Sequence, residues 1–126
     1  MIGYAGRRKE EFIENLKRCG IQLVVDVRRF PKSKDTDFEK RELERWLREE
    51  GIEYVWLGRE LGGFRRGGYE KYMVTGDFER GIKTLLKFVE EYAVAVMCME
   101  RKMKYCHRRF IAERLRREGI NVQEIK

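Results

Sequence analysis

The sequence predicts one α/β domain with a mostly parallel five-stranded sheet and helices on both faces, a Rossmann-like three-layer sandwich. Apolar runs alternate with segments of helical periodicity along the whole chain. These runs are nearly continuous, which is typical of strands that are covered on both faces. A chain of 126 residues can bury one hydrophobic core but is too short for two full ones. We therefore assign residues 1–126 to a single domain.

The spacing of apolar side chains predicts the first three strands and the two helices between them. Residues 1–4 and 21–27 are short apolar runs, and residues 52–57 are rich in aromatic side chains, so each predicts a strand. Residues 9–19 and 39–50 repeat apolar side chains at helical spacing. A glycine directly after each of these two segments ends the helix.

The second half of the chain continues the alternation. A glycine-rich loop at residues 58–76 precedes a helix at residues 77–92, whose first residue is an aspartate that can cap it. The apolar run at residues 92–97 predicts a fourth strand, residues 106–118 a helix, and residues 122–125 a fifth strand. Strands and helices are therefore expected in the order βαβαβαβαβ.

Glycines, arginines and other polar residues follow the predicted strands at their carboxyl ends. Parallel strands bring these ends to one edge, where ligands bind, so we expect one site assembled from several segments. Glycines permit close backbone approach and arginines form bidentate contacts, which indicates a bound anion. Taken alone, each segment also has a structural interpretation, such as a turn or an ion pair of Asp26 with Arg28 or Arg7. The predicted anion-binding residues are Gly3, Tyr4, Gly6, Arg7, Arg28, Arg29, Ser33 and Arg108.

Residues 98–109 contain two of the three cysteines, the only histidine and a carboxylate. This segment joins the fourth strand to the last helix, whose dipole favours a thiolate at its start. Two strand-end carboxylates can act as an acid/base pair or activate water, whereas Cys106 has the positive field that a nucleophilic thiol requires. Adjacent residues such as Cys106 and His107 do not normally share a hydrogen bond, however. The candidate catalytic residues are Asp26, Glu100, Cys98, Cys106 and His107.

The sequence requires no metal or other cofactor. Zinc bound by Cys98, Cys106 and His107, with Glu100 or water, is an alternative, but neighbouring ligands are awkward. In a purely structural alternative, the two cysteines are small buried side chains that close the turn beside a hydrogen-bonded histidine. A cysteine phosphatase is rejected, because no arginine stands six positions after either cysteine.

The loop at residues 64–69 mixes aromatic side chains, arginines and glycines, which is typical of a lid or of an element that grips a nucleic acid strand. Aromatic side chains here and near the strand ends are candidates for stacking on bases, with core packing as the alternative. The loop and stacking candidates are Trp56, Arg65, Arg66, Tyr69 and Tyr72.

The charge balance indicates an anionic partner. Lys and Arg number 29 against 22 Asp and Glu, which predicts nucleic acid or a nucleotide as the partner. Mixed charge on the helices is explained by solvated faces. No apolar run approaches the roughly 20 residues that span a bilayer, so no membrane partner is expected. Three scattered cysteines and the lack of an apolar leader predict a reducing cytoplasm.

Several short motifs together resemble a known family over nearly the whole chain. They are Ile2-Gly3-Tyr4 with Gly6-Arg7, Asp26-Val27-Arg28 with Pro31, Ser33 and Phe38, Leu61-Gly62-Gly63, Tyr72-Met73, and Cys98, Glu100 and Cys106-His107-Arg108. With them the chain resembles the uncharacterised domain-of-unknown-function family numbered 488. The resemblance implies an α/β domain without an assigned reaction. Ala5 replaces the serine or other polar residue of many relatives, so no hydroxyl nucleophile is expected there, and Lys102-Met103 replaces a typical Asp-Pro.

The leading hypothesis is an enzyme that hydrolyses a glycosidic or phosphate bond of nucleic acid or a nucleotide at the carboxyl edge of the sheet. Two alternatives stay open. One is a non-catalytic module that binds nucleic acid, and the other is a redox or sensor protein that uses Cys98 and Cys106.

Overall fold

Four parallel strands form the sheet in the computed structural model of the protein, which describes residues 1–126. The strands are β1 (Ile2–Gly3), β2 (Leu23–Asp26), β3 (Glu53–Trp56) and β4 (Val94–Cys98). Their order across the sheet is β1-β4-β2-β3, and every neighbouring pair is parallel. The two central strands, β2 and β4, therefore end beside each other.

Six helices accompany the strands. They are α1 (Lys9–Arg18), α2 (Lys40–Glu49), α3 (Gly58–Leu61), α4 (Tyr69–Tyr72), α5 (Gly76–Glu91) and α6 (Arg108–Arg117), with 3₁₀ turns at Thr36–Phe38 and Met103–Tyr105. The side chain of Thr75 caps α5 by accepting a hydrogen bond from the Phe78 N–H, so the expected aspartate cap is wrong. None of the helices has the length and apolarity needed to cross a membrane.

Alternating side chains of the strands divide the core into two clusters. Leu23 and Val25 of β2 pack with buried residues of α5 and α6 on one face of the sheet. Val24 of β2 and Ala95 of β4 pack with α1 and α2 on the other face. This is the period of two that a pleated strand imposes. Helices therefore cover both faces of the sheet.

The predicted fifth strand is wrong. Residues 122–125 follow α6 and lie beside the first residue of the chain, where the Ile125 N–H donates to the Met1 carbonyl at 2.8 Å. The Met1 nitrogen donates in turn to the carbonyl of Gln123 at 3.0 Å. The neighbouring strand β1 contains only two residues, so no ladder extends from these contacts. The sheet has four strands.

The segment at residues 58–76 contains the short helices α3 and α4, which the glycine content did not predict. Two tyrosine hydroxyls hold the helices together: Tyr69 donates to the Leu61 carbonyl at 2.7 Å and Tyr72 to the Glu60 carbonyl at 2.6 Å. These bonds join residues that are distant along the segment. The segment is therefore an ordered wall above the carboxyl ends of the strands.

Candidate functional site

A cavity of about 420 Å³ lies at the carboxyl ends of β1, β2 and β4, and we call it the strand-end cavity. Its position is that of ligand sites in parallel α/β sheets. A second, mostly apolar cavity of about 390 Å³ contains none of the candidate site residues. The strand-end cavity is lined by Tyr4, Arg28, Arg29, Phe30, Lys32, Gly63, Phe64, Tyr69, Cys98, Met99, Glu100, Tyr105, Cys106 and His107.

Cys98, Cys106 and His107 form a compact cluster in the wall of this cavity. Their two sulfur atoms and a ring nitrogen all lie within 4.8 Å of one another. Cys106 Sγ is 3.5 Å from His107 Nδ1, so the expectation that these neighbours would not share a contact does not hold. The backbone is extended at Cys106, with φ −128°, and helical at His107, with φ −58°. This change of conformation turns both side chains towards the same point.

The two thiols of the cluster differ in proton affinity. The hydrogen bond from Cys98 lowers the pKa of the Cys106 thiol against the opposing effect of burial, and His107 lowers it further. The same contact with Cys106, together with burial, raises the pKa of Cys98. Cys106 is therefore the more acidic of the two thiols, and Cys98 holds its proton more tightly.

The orientation of His107 is fixed by the sheet. His107 Nε2 lies 3.1 Å from the carbonyl oxygen of Val27, directly after β2. A carbonyl oxygen only accepts hydrogen bonds, so Nε2 carries a ring hydrogen. Nδ1 is then the nitrogen that faces the Cys106 sulfur, with a lone pair in the neutral ring and with a hydrogen that it donates to the thiolate in the charged ring. Gly63 lies against that nitrogen, since a Cβ atom there would be 3.1 Å from Nδ1. The glycine thus leaves Nδ1 accessible.

Arg108 is hydrogen-bonded to the cluster from the buried side. Its side chain is fully buried, and its Nε donates to Cys106 Sγ at 3.4 Å while a terminal nitrogen donates to the backbone carbonyl of Glu100. The predicted anion-binding residue Arg108 therefore holds a sulfur atom and the β4–α6 turn. The Glu100 side chain lines the cavity, where Oε1 accepts a hydrogen bond from the Lys102 N–H at 3.3 Å.

Asp26 lies outside the cavity lining and is fully buried. Its carboxylate accepts hydrogen bonds from Arg28 Nε at 2.9 Å, from Arg28 Nη2 at 2.7 Å and from the Arg28 backbone N–H at 3.0 Å. The Tyr54 hydroxyl donates to it at 2.6 Å. The structure therefore places Asp26 as the anchor of Arg28, because both carboxylate oxygens already have partners.

Five of the eight predicted anion-binding residues, Arg108 among them, lie outside the strand-end cavity. Gly3 packs so closely on the backbone of the β4–α6 turn that a Cβ atom has no room, and Gly6 makes a turn with φ +73°. Arg7 donates from Nε to the Gly3 carbonyl at 2.8 Å. The Ser33 hydroxyl accepts from the Asp35 N–H at 3.1 Å and shapes its own loop. Tyr4, Arg28 and Arg29 do line the cavity.

Only Tyr69 of the loop and stacking candidates lines the cavity. Trp56 donates to the Arg28 carbonyl at 2.7 Å. Arg65 lies over the ring of Tyr72, 3.9 Å from its centroid, and donates to the Gly62 carbonyl at 2.8 Å. Arg66 is exposed and does not line the cavity. Most of these side chains therefore stabilise the segments around the cavity rather than line it.

Two exposed aromatic side chains that were absent from the predicted site stand in the cavity wall. Phe30 is 61% exposed and Phe64 is 85% exposed, and their rings lie 6.3 Å apart. Phe64 has φ +58°, the left-handed region, and is the only residue besides glycine that does so. Composition gave no means of telling these rings from core aromatics, although Phe30 directly follows two arginines.

A strongly cationic groove of about 710 Å³ lies next to the cluster, and we call it the basic groove. Seven of its nine lining residues are cationic, and only Arg7 has a carboxylate within 4.0 Å. Lys104 and Arg109 also line a shallow recess that contains Cys106 and His107. Through these two residues the groove adjoins the recess that contains Cys106 and His107. It is lined by Arg7, Arg101, Lys102, Met103, Lys104, Arg109, Arg116, Glu124 and Lys126.

The fold and the site define a class of protein: a parallel α/β domain with a cysteine–histidine cluster where its central strands end. Within that class, the chain belongs to the family described as Domain of unknown function DUF488, whose model matches residues 8–115. The match includes the whole cysteine–histidine cluster, and the resemblance predicted from the sequence is confirmed. No curated protein and no solved structure matches the chain.

Proposed function

We propose that the protein is an enzyme that hydrolyses a glycosidic or phosphate bond of nucleic acid or a nucleotide in the strand-end cavity. The observation that carries this proposal is that the basic groove shares two cationic residues, Lys104 and Arg109, with the recess that contains Cys106 and His107. Cations without carboxylate partners attract a polyanion. A polyanion bound along the groove would lie next to the cysteine–histidine cluster and could there be the substrate of a reaction. Elsewhere, arginines such as Arg45 and Arg80 are paired with neighbouring carboxylates.

The mouth of the cavity offers contacts for both parts of a nucleotide. The exposed rings of Phe30 and Phe64 provide stacking surface for a base. Lys32 lines the same cavity, is exposed and has no carboxylate partner, so it is suited to a phosphate. Arg29 donates to the carbonyl of Phe64 and thereby holds this ring beside the arginine-rich end of β2.

Glu100 is the side chain best placed to handle the proton of an attacking water. Its carboxylate lines the cavity with the cluster and is half-buried. In the proposed hydrolysis, Glu100 takes a proton from water, the hydroxide forms a bond to the glycosidic carbon or the phosphorus, and the leaving group departs with the proton from Glu100. Asp26 acts indirectly, because it anchors Arg28 in the wall of the cavity.

The test compares the wild-type protein with Glu100→Gln on single-stranded and double-stranded DNA and RNA and on free nucleotides, with product masses as the readout. A released base identifies a glycosidic bond, and a shortened strand identifies a phosphodiester bond. Glu100→Gln should lose turnover and keep the unfolding midpoint of the wild type. Glu49→Gln, an exposed carboxylate on α2, is the matched control and should keep full turnover. Full activity of Glu100→Gln, or no product from any probe, contradicts the proposal.

The basic groove also favours a second candidate function, a module that binds nucleic acid without turnover. Binding would then weaken steeply as the salt concentration rises. The lysines and arginines of the groove release counterions from the phosphates on binding, and this release is less favourable at high salt. The same probes would keep their mass after long incubation. Binding that is insensitive to salt, or no binding at all, would contradict this second function.

A further inference from the structure

We propose that Cys98, Cys106 and His107 bind one zinc-class metal ion, with the fourth coordination position open to the strand-end cavity. Binding itself does not depend on the proposed function; only the role of the bound water does. Three donor atoms within 4.8 Å of one another lie on two elements, the end of β4 and the start of α6. Two sulfurs and one imidazole form a donor set that zinc prefers and that magnesium and calcium do not.

The histidine already has the environment of a metal ligand. Histidines that bind a metal through one nitrogen usually donate the other N–H to a carbonyl or carboxylate. His107 does this through Nε2, which lies 3.1 Å from the carbonyl oxygen of Val27. The other nitrogen, Nδ1, faces the sulfur of Cys106 at 3.5 Å and is the atom that Gly63 leaves accessible.

Adjacent ligands are compatible with this backbone. The extended conformation of Cys106 and the helical conformation of His107 direct Sγ and Nδ1 to the same point. The separation of 3.5 Å is close to the edge of a tetrahedron with metal–sulfur bonds of about 2.3 Å and metal–nitrogen bonds of about 2.0 Å. The objection that the sequence raised against zinc is therefore removed by the structure.

The local charges also suit a dithiolate site. The buried guanidinium of Arg108 donates to Cys106 Sγ at 3.4 Å, a contact that stabilises a thiolate. Two thiolates neutralise a divalent cation, so the loaded cluster adds no net charge beside Arg108. Three protein ligands with one open position are typical of catalytic zinc rather than structural zinc.

Glu100 lines the strand-end cavity together with the three proposed ligands. Zinc lowers the pKa of a bound water to about 7, so this water can lose a proton near neutral pH. Glu100 takes that proton, the hydroxide bonds to the electrophilic atom of the substrate, and the leaving group accepts the proton from Glu100. The metal thus supplies the nucleophile of the proposed hydrolysis.

The experiment removes metal with a chelator under reducing conditions and titrates the protein with Zn²⁺ against a chromophoric competitor. One ion should bind per chain. Replacing zinc by Co²⁺ should give the thiolate charge-transfer and visible absorption bands of a tetrahedral two-sulfur site, a readout that needs no variant. Cys98→Ser, Cys106→Ser and His107→Ala should each weaken zinc binding by about 100-fold or more, since changes in supporting contacts alone cost about 10–100-fold.

Cys19→Ser is the matched control, because Cys19 is exposed and lies outside the cluster. It should bind zinc as the wild type does. Circular dichroism identifies any variant that fails to fold, and the cobalt spectrum of the wild type then decides. No stoichiometric metal, equal affinity in Cys98→Ser, or a cobalt spectrum without thiolate bands overturns the proposal. So does a Cys98–Cys106 disulfide that forms while zinc is present in excess.

The metal site and the proposed function fail in different ways. Stoichiometric zinc without turnover of any nucleic acid or nucleotide overturns the hydrolase and leaves the metal site. Turnover by a metal-free preparation overturns the role of the metal-bound water and leaves the hydrolase. Restoring turnover by Zn²⁺ in the wild type, but not in Cys98→Ser, supports both.

Discussion

Replacing Asp26 by alanine should destabilise the fold more than any exposed charge substitution. Asp26 is fully buried and is the carboxylate partner of Arg28, whose side chain is itself only 5% exposed. The alanine variant leaves this guanidinium buried without its counter-charge and the Tyr54 hydroxyl without its acceptor. Breaking a buried ion pair from one side costs about 3–5 kcal/mol.

That loss is large enough to measure by two methods. With a urea dependence of about 2 kcal/mol per molar, the midpoint of unfolding should fall by about 2 M. For a chain of this length, the same loss lowers Tm by about 10–20 °C. Urea unfolding followed by circular dichroism gives the free energy directly, provided that the slope is unchanged.

A double variant tests the reasoning more sharply than the single one. Asp26→Leu with Arg28→Met removes both charges, so it should lose clearly less stability than Asp26→Ala alone. Glu49→Gln, which disturbs an exposed pair with Arg45, should leave the midpoint unchanged. A loss below about 1 kcal/mol for Asp26→Ala would refute the argument, because it would mean that water or another group satisfies Arg28.

Three other substitutions have distinct expected outcomes. Phe64→Ala should weaken the binding of single-stranded DNA or RNA by about 1–3 kcal/mol in a fluorescence titration without loss of stability; unchanged affinity would exclude stacking on this ring. Gly58→Ala should lower Tm in a thermal melt, because the new Cβ collides with the Arg28 carbonyl and the Trp56 ring nitrogen. An unchanged Tm would show that these two groups move aside without loss of stability. Burial, and then Asp26, raise the pKa of Tyr54, so the unfolded state ionises first and stability should fall as pH rises above about 10. Urea melts should show a shallower fall for Tyr54→Phe, and parallel curves would contradict this assignment.

Apolar runs and helical spacing along the sequence were sufficient to predict several strands and helices. The strand at β2 and the helix α2 lie where apolar runs and helical spacing placed them, within about two residues. The fifth strand failed because a strand needs a long enough neighbour, and β1 offers two residues. Helices α3 and α4 escaped prediction because distant tyrosine hydroxyls, not propensity, hold them.

The sequence predicted those residues of the candidate site that follow the carboxyl ends of the strands. The rule for parallel sheets brought together Cys98, Glu100, Cys106 and His107, which line one cavity. It could not decide whether Asp26 pairs with Arg28 or Arg7, nor could it show that Phe64 is exposed. Both depend on side-chain packing, which spacing along the chain does not encode.

Paired and unpaired cations are unevenly distributed over the surface. Arg45 and Arg48 on α2 and Arg80 on α5 pair with neighbouring carboxylates, whereas six of the seven cations of the basic groove have no carboxylate within 4.0 Å. For the polyanionic substrate that we propose, this groove is attractive at a range of about 10 Å at moderate salt. Under the proposed function, ionic strength therefore controls both how fast the substrate arrives and how tightly it is held.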